Sequence, residues 1–503
     1  MRFPRSSGIV LHPTSLPGNH GIGDLGNAAY RFVDWLAAAG QKLWQVLPLG
    51  STGYGDSPYQ LFSAFAGNPL LIDLDALADE GFLDPAALAA APAFTEDEVD
   101  FGAVLAWKLP LLREASALFL ASPREDYEQF CLRNAAWLDD FALFMALKEE
   151  HGGVAWNCWA PAFVRRDLGA LEQARTRLRD NIDVHKFAQY AFFRQWIRLK
   201  DYARERGIRI MGDLPIYVAH DSADVWANPE LFLLDENGSC TFVAGVPPDY
   251  FSATGQLWGN PIYRWDALKE RGYGWWIERF RATLALVDMV RLDHFRGFEA
   301  YWQVPGGETT AINGEWVKGP GAAFFAAIES AMGKLPLVAE NLGVITPEVE
   351  ELLERFEYPG MAILQFAFGT DPQALDFRPH NYPRNRVAYS GTHDNETTVG
   401  WWTTAGAGNT TRTAEDVARE RTFARKYLNT TGHEINWVFI RTLIASVADT
   451  VLFPVQDVLG LGNEARMNLP GTFGGNWRWR MRSGALRPEH AARLRDCCVT
   501  YDR

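Results

Sequence analysis

Apolar residues along this chain gather into eight short strand-like runs, at 8–12, 43–49, 208–213, 287–293, 335–340, 362–366, 386–390 and 450–455. Helical patterns lie between most of them, at 27–39, 185–206, 322–332, 347–356 and 414–429. Eight strands alternating with helices predict an α/β fold, a (β/α)8 TIM barrel. A doubly wound sheet also uses alternating units, but eight repeats with chemistry at the strand ends favour closure. Two intervals are too long for simple connections. Residues 55–185 carry further helical stretches at 101–121, 124–150 and 166–179, which predicts a helical insertion after the second strand. Residues 214–286, rich in Pro, Gly and aromatics, predict a second insertion that carries a lid over the barrel mouth. Residues 1–503 thus read as one barrel domain with insertions, mainly helical, at its C-terminal face, where barrel active sites sit.

Three short motifs, each following one of the runs, carry a carboxylate where the strand gives way to its loop. Val-Arg-Leu-Asp-His-Phe-Arg-Gly (290–297), Val-Ala-Glu-Asn-Leu-Gly (338–343) and Gly-Thr-His-Asp-Asn-Glu (391–396) place Asp293, Glu340 and Asp394 at one edge of the sheet. Any one acid alone is explained as a cap or turn residue. Three together suit glycosidic-bond chemistry, in which one acid attacks, one protonates the leaving oxygen and a third holds the distorted ring. Arg291 and Asp293 are two apart on a strand and share one face. An arginine beside a carboxylate favours its ionised form, which a nucleophile needs. Glu340 suits the general acid if burial and like charge keep it protonated near neutrality. His393, beside Asp394, is a candidate donor to a sugar hydroxyl.

Loops after the strands supply further candidates. Tyr54-Gly-Asp-Ser-Pro-Tyr59 offers two tyrosines on a turn. The stretch 247–260 sets Phe251 and Trp258 among turn residues, which suits a sugar-stacking lid. After the last strand, Asn463, Glu464, Arg466 and Asn468 could bind hydroxyls. Gly21-Ile-Gly-Asp-Leu-Gly26 matches the Gly-x-Gly-x-x-Gly dinucleotide fingerprint. Yet the second strand ends Val-Leu-Pro-Leu-Gly-Ser, with no acid for a ribose hydroxyl, so a turn with Asp24 near a helix start is the better reading.

Composition narrows the classes. A net charge of −14 without Lys/Arg blocks argues against nucleic acid and against a polybasic membrane patch. No run of about 18 apolar residues is present to span a bilayer, and the first residues lack the apolar stretch of a secretory signal. Five cysteines, odd in number and without a Cys-x-x-Cys pair, point to a reducing cytoplasm. No His/Glu spacing fits zinc, and no metal or cofactor is expected. Aromatic residues make up 13% of the chain, and Trp258 and Trp477 fall in loop-like stretches, which leans toward a carbohydrate ligand.

The ordered motifs closely resemble glycoside hydrolase family 77 of the α-amylase clan, the 4-α-glucanotransferases (amylomaltases or disproportionating enzymes). Leu-His-Pro-Thr-Ser-Leu-Pro-Gly (11–18), Gly-Tyr-Gly-Asp-Ser-Pro-Tyr-Gln (53–60), Gly-Asp-Leu-Pro-Ile-Tyr-Val (212–218) and Asn-Glu-Ala-Arg-Met-Asn (463–468) extend the match over nearly the whole chain. The resemblance implies Asp293 as nucleophile, Glu340 as acid/base and Asp394 as transition-state stabiliser. It assigns supporting positions to Asp213 and Arg291 and substrate contacts to Tyr59 and His393. It also implies α-1,4-glucan partners and transfer between glucan chains. An α-amylase-type hydrolase uses the same first step and stays open at this stage, as does a non-catalytic glucan-binding barrel.

Overall fold

The computed structural model describes residues 3–248, 252, 254–404, 413–472 and 474–503, and the side chain of Tyr54 is outside that description. In chain order the strands are β1 (Ser6–Val10), β2 (Leu43–Gln45), β3 (Arg209–Leu214), β4 (Phe242–Val246), β5 (Gln256–Pro261), β6 (Met289–Leu292), β7 (Ala300–Pro305), β8 (Glu315–Lys318), β9 (Leu337–Ala339), β10 (Gly360–Ile363), β11 (Arg386–Tyr389) and β12 (Thr450–Pro454). Eight of them close a parallel barrel in the order β1-β2-β3-β6-β9-β10-β11-β12, with β12 beside β1. Each of the eight expected runs supplies one barrel strand. The second is shorter than its apolar run, because barrel pairing fades as the chain nears Pro48, which has no N–H to donate.

Side chains alternate along each strand, so every second residue points into the barrel. Val10, Leu43, Met211, Met289, Val338, Met361, Val387 and Leu452, one from each strand, pack together in the interior. Two residues further along, the same inward phase places Gln45, Asp213, Arg291, Glu340 and Tyr389. An apolar plug therefore carries a polar layer directly above it, at the C-terminal mouth. Closure needs a tight approach at β1: a Cβ on Gly8 would lie 2.4 Å from the Leu43 Cβ.

The outer helices follow from local signals. Pro347–Phe356 begins with Pro at its first turn beside Glu348 and Glu350, buries Val349, Leu352, Leu353 and Phe356 on one stripe, and ends near Arg355. Ala414–Leu428 starts on a capping box between Thr413 and Asp416. Between β2 and β3 run the helices Phe101–Leu120, Glu125–Glu150 and Arg179–Glu205, the last reaching further toward the N-terminus than its sequence pattern suggested.

A four-stranded antiparallel sheet, β5-β4-β7-β8, stands over the mouth. Its first pair lies in the 214–286 interval, but its second pair comes from the chain after β6, where no insertion was expected. No helix among the described residues is long and apolar enough to cross a membrane.

Candidate active site

The polar layer and the residues just above it form one connected cluster. Arg291, buried, directs Nη1 to both Asp213 oxygens, at 2.8 and 2.7 Å, and to Asp293 Oδ1 at 2.8 Å. Burial alone would weaken the guanidinium's hold on its proton, but Asp213 and Asp293 more than reverse that. One cation thus serves two carboxylates. Tyr59 donates its hydroxyl to Asp213 Oδ2 at 2.8 Å and stands 2.9 Å from His393 Nε2. The Tyr59 and His393 rings are stacked, with centroids 5.3 Å apart.

Glu340 is held differently. Its Oε2 accepts the backbone N–H of His294 at 2.8 Å, and its Oε1 accepts that of Leu342 at 2.9 Å. His294 is left-handed, at φ 50°, and this uncommon backbone turn lies directly after Asp293. Burial pushes the Glu340 carboxyl up to about 7; Arg291 opposes the rise, Asp293 adds to it and the two N–H groups oppose it. The result is a group able to hold its proton near neutrality beside a carboxylate that has its own counter-charge. That pairing is what acid catalysis alongside a nucleophile requires.

Asp394 completes the mouth from β11. Its Oδ1 accepts Asn468 Nδ2 at 2.6 Å, its carbonyl accepts Arg466 Nη2 at 2.6 Å, and its Oδ2 lies 3.4 Å from His393 Nε2. Its side chain is 42% exposed, against 4% for His393. Trp258 stands on β5 with its ring perpendicular to His294, centroids 4.8 Å apart. Burial lowers His294 to about 4, so that ring is neutral.

Other candidates are placed elsewhere. Asn463 does not face the acids: its Nδ2 binds Glu396 Oε1 at 2.7 Å and Thr404 Oγ1 at 3.1 Å. Glu464 is exposed and accepts the N–H of Gly462 in its own loop at 2.8 Å. The same loop reaches the acids through Arg466 and Asn468 instead. Phe251 and the Tyr54 side chain lie outside the described residues. Trp477, expected on an open loop, is buried behind the site, 5.8 Å from both the Tyr59 and His393 rings.

Gly23, in the dinucleotide-like stretch, packs its Cα against its own chain, since a Cβ would meet Pro13 O at 2.1 Å. Asp24 accepts the N–H of Gly26, the residue that caps Asn27–Ala38. These glycines therefore serve a turn. No group of three or more His, Cys, Asp or Glu among the described residues could hold a metal ion.

The sequence pattern did not reveal the backbone donors to Glu340, because main-chain N–H groups carry no residue signature. It also missed Asp457, whose buried carboxylate accepts Ser390 Oγ at 2.5 Å, Thr398 N at 2.8 Å and Thr398 Oγ1 at 2.7 Å. Those bonds tie both sides of the Asp394 turn to the short helix Val455–Leu459 that follows β12.

A family model described as 4-alpha-glucanotransferase matches residues 11–486. The chain is 52% identical to the 4-alpha-glucanotransferase of Thermus thermophilus over 515 aligned positions that cover all of both proteins. It is 44% identical to the chloroplastic/amyloplastic 4-alpha-glucanotransferase of Solanum tuberosum, over 99% of this chain and 86% of that one. Amylomaltase from Streptococcus agalactiae, solved in complex with acarbose, superposes with a TM-score of 0.94 at 42% identity, over 99% of each chain. These names fit the transfer reading and not the hydrolase alternative.

Proposed function

The chain belongs to the 4-alpha-glucanotransferase family, and from that premise we propose that it transfers α-1,4-glucan segments by double displacement at Asp293. In the first step Glu340 gives its proton to the glycosidic oxygen while an Asp293 oxygen bonds to the anomeric carbon. The glycosidic C–O bond breaks, and the reducing-end fragment leaves with that proton. In the second step the Glu340 carboxylate takes a proton from the 4-hydroxyl of an acceptor glucan. The acceptor oxygen bonds to the anomeric carbon as the bond to Asp293 breaks. Two inversions leave the α configuration, and the number of reducing ends is unchanged.

The observation that carries this reading is the pairing of Glu340, raised to about 7, with an Asp293 carboxylate held at 2.8 Å by Arg291. Asp394 is assigned to the distorted sugar ring, which bears positive charge in the transition state. Asp213, Tyr59 and His393 form the hydroxyl-binding wall at that ring. Trp258 is assigned to stacking on a sugar beside it, and Phe251 to the lid. Asn463 and Glu464 are assigned to the loop that delivers Arg466 and Asn468, not to direct sugar contact. No step needs a metal or an organic cofactor. The substrates are maltooligosaccharides and longer α-1,4-glucans, and the cytoplasm, which suits five free thiols, is the compartment we assign.

Incubation with maltotriose tests the function. The expected products are glucose and a ladder of longer maltooligosaccharides at a constant count of reducing ends. Rising reducing ends with shorter products only would make the protein a hydrolase.

A further inference from the structure

The antiparallel sheet carries an aromatic pair that the proposed chemistry does not use. Trp302 on β7 and Trp316 on β8 are direct cross-strand partners, so both rings project from the same face. Their centroids are 5.3 Å apart at 69°. Trp302 is fixed: its indole N–H donates to the carbonyl of Ala311 at 2.9 Å, and its ring packs over Gly314. Trp316 is open, with 40% of its surface in solvent, and Ile312 and Val344 are exposed at 51% and 57%.

Both ends of this pair are tethered to loops that frame the mouth. The Arg296 guanidinium lies 3.6 Å from the centre of the Trp316 ring and also donates to the carbonyl of Val344. Arg296 stands three residues after Asp293, and Val344 four after Glu340. At the other end, Ala311 N–H donates to the carbonyl of Thr254 at 3.1 Å, in the β4–β5 connection. A tryptophan held by a buried arginine, unpaired on most of one side and set on the rim of a polysaccharide site, is poorly explained as packing. Burial would stabilise it, and the sheet leaves it in water.

We propose that Trp316, backed by Arg296 and flanked by Trp302, is a rim platform that stacks on α-1,4-glucan beyond the sugars held over the acids. The inference rests on the glucan-transfer reading above. Its occupant is a long glucan chain, because the apolar face of a glucose ring matches an indole face and a long substrate continues out of the mouth. On this proposal a trisaccharide seated at the acids stops short of the rim. The platform therefore favours long donors or acceptors and leaves short ones alone.

The test compares wild type, Trp316→Ala and Trp316→Phe on two substrates, amylose and maltotriose, with melting temperature as a check on folding. Trp316→Ala is expected to lower kcat/KM on amylose about 5- to 10-fold, mainly through KM, the size of one lost aromatic contact. Maltotriose turnover should stay within about twofold, and Trp316→Phe should keep most of the amylose activity. Equal losses on both substrates, or an unchanged amylose KM, would overturn the platform. A wild type that fails to disproportionate maltotriose would instead overturn the glucan-transfer reading itself.

Discussion

Glu340 and Asp394 stand at the same mouth on two different kinds of support. Glu340 follows directly on a barrel strand, is half-buried, and is gripped by main-chain N–H groups from its own loop and from the residue after Asp293. Asp394 sits on a turn beyond β11, is 42% exposed at its side chain, and is held by Asn468 and Arg466 from the chain after β12. The barrel itself sets the electrostatics of the first acid. A loop contact sets the orientation of the second. Substitutions on the two sides should therefore fail in different ways.

The largest effect falls on the barrel side. Glu340→Gln keeps the hydrogen-bonding shape but cannot cycle a proton, and kcat on maltotriose should fall about 10²- to 10⁴-fold with the circular dichroism unchanged. Arg291→Met should cost about 3–5 kcal/mol of stability, read by denaturant unfolding, because it leaves the buried Asp213, and the half-buried Asp293 beside it, without a counter-charge. A loss below 1 kcal/mol, the size of a surface ion pair, would mean that the two carboxylates shed their charge without Arg291.

Effects on the loop side should be smaller and of another kind. Asp457→Ala removes the acceptor of three hydrogen bonds that brace the Asp394 turn, and about 1–3 kcal/mol of stability should go with it. Asn468→Ala frees the Asp394 carboxylate to rotate; kcat should drop about tenfold, the loss of one orienting hydrogen bond. Neither change touches the groups around Glu340, so neither should move the pH profile.

That profile is the finest discriminator. In the proposed mechanism Glu340 starts the cycle protonated, so wild-type kcat/KM should hold below about 7 and fall as pH rises through it. Stability follows the same sign. A carboxyl raised in the folded state adds stability that is complete below its usual value near 4.5 and is lost as pH climbs through 7. The melting temperature of Glu340→Gln relative to wild type should therefore rise between pH 5 and pH 8. A flat difference would remove burial as the source of the raised value.

The sequence made the strand-borne half of this site legible. Alternation puts Arg291 and Asp293 in one phase, and the apolar runs that end on Asp293 and Glu340 point each acid to the mouth. The loop-borne half was harder to read. Asn463, Glu464, Arg466 and Asn468 are four polar residues within six positions, and only the folded loop decides that the last two face Asp394. Trp477 illustrates the same limit: its loop composition suggested exposure, but a left-handed turn at φ 67° folds it under Tyr59 and His393. The β7–β8 hairpin escaped notice because β8 is short and exposed and β7 takes its other partner, β4, from a distant part of the chain. Such non-local pairing leaves little periodic signal in either segment.

The central claim is that Asp293 forms the bond to the sugar while Glu340 moves the proton. A fluorinated glucosyl fluoride, which accumulates the covalent intermediate by slowing its breakdown, tests this directly when the labelled protein is digested and its peptides are weighed. The expected result is one added glycosyl mass on the peptide that holds Asp293, absent in Asp293→Asn. A label on any other carboxylate, or active enzyme with no label at all, would contradict the assignment.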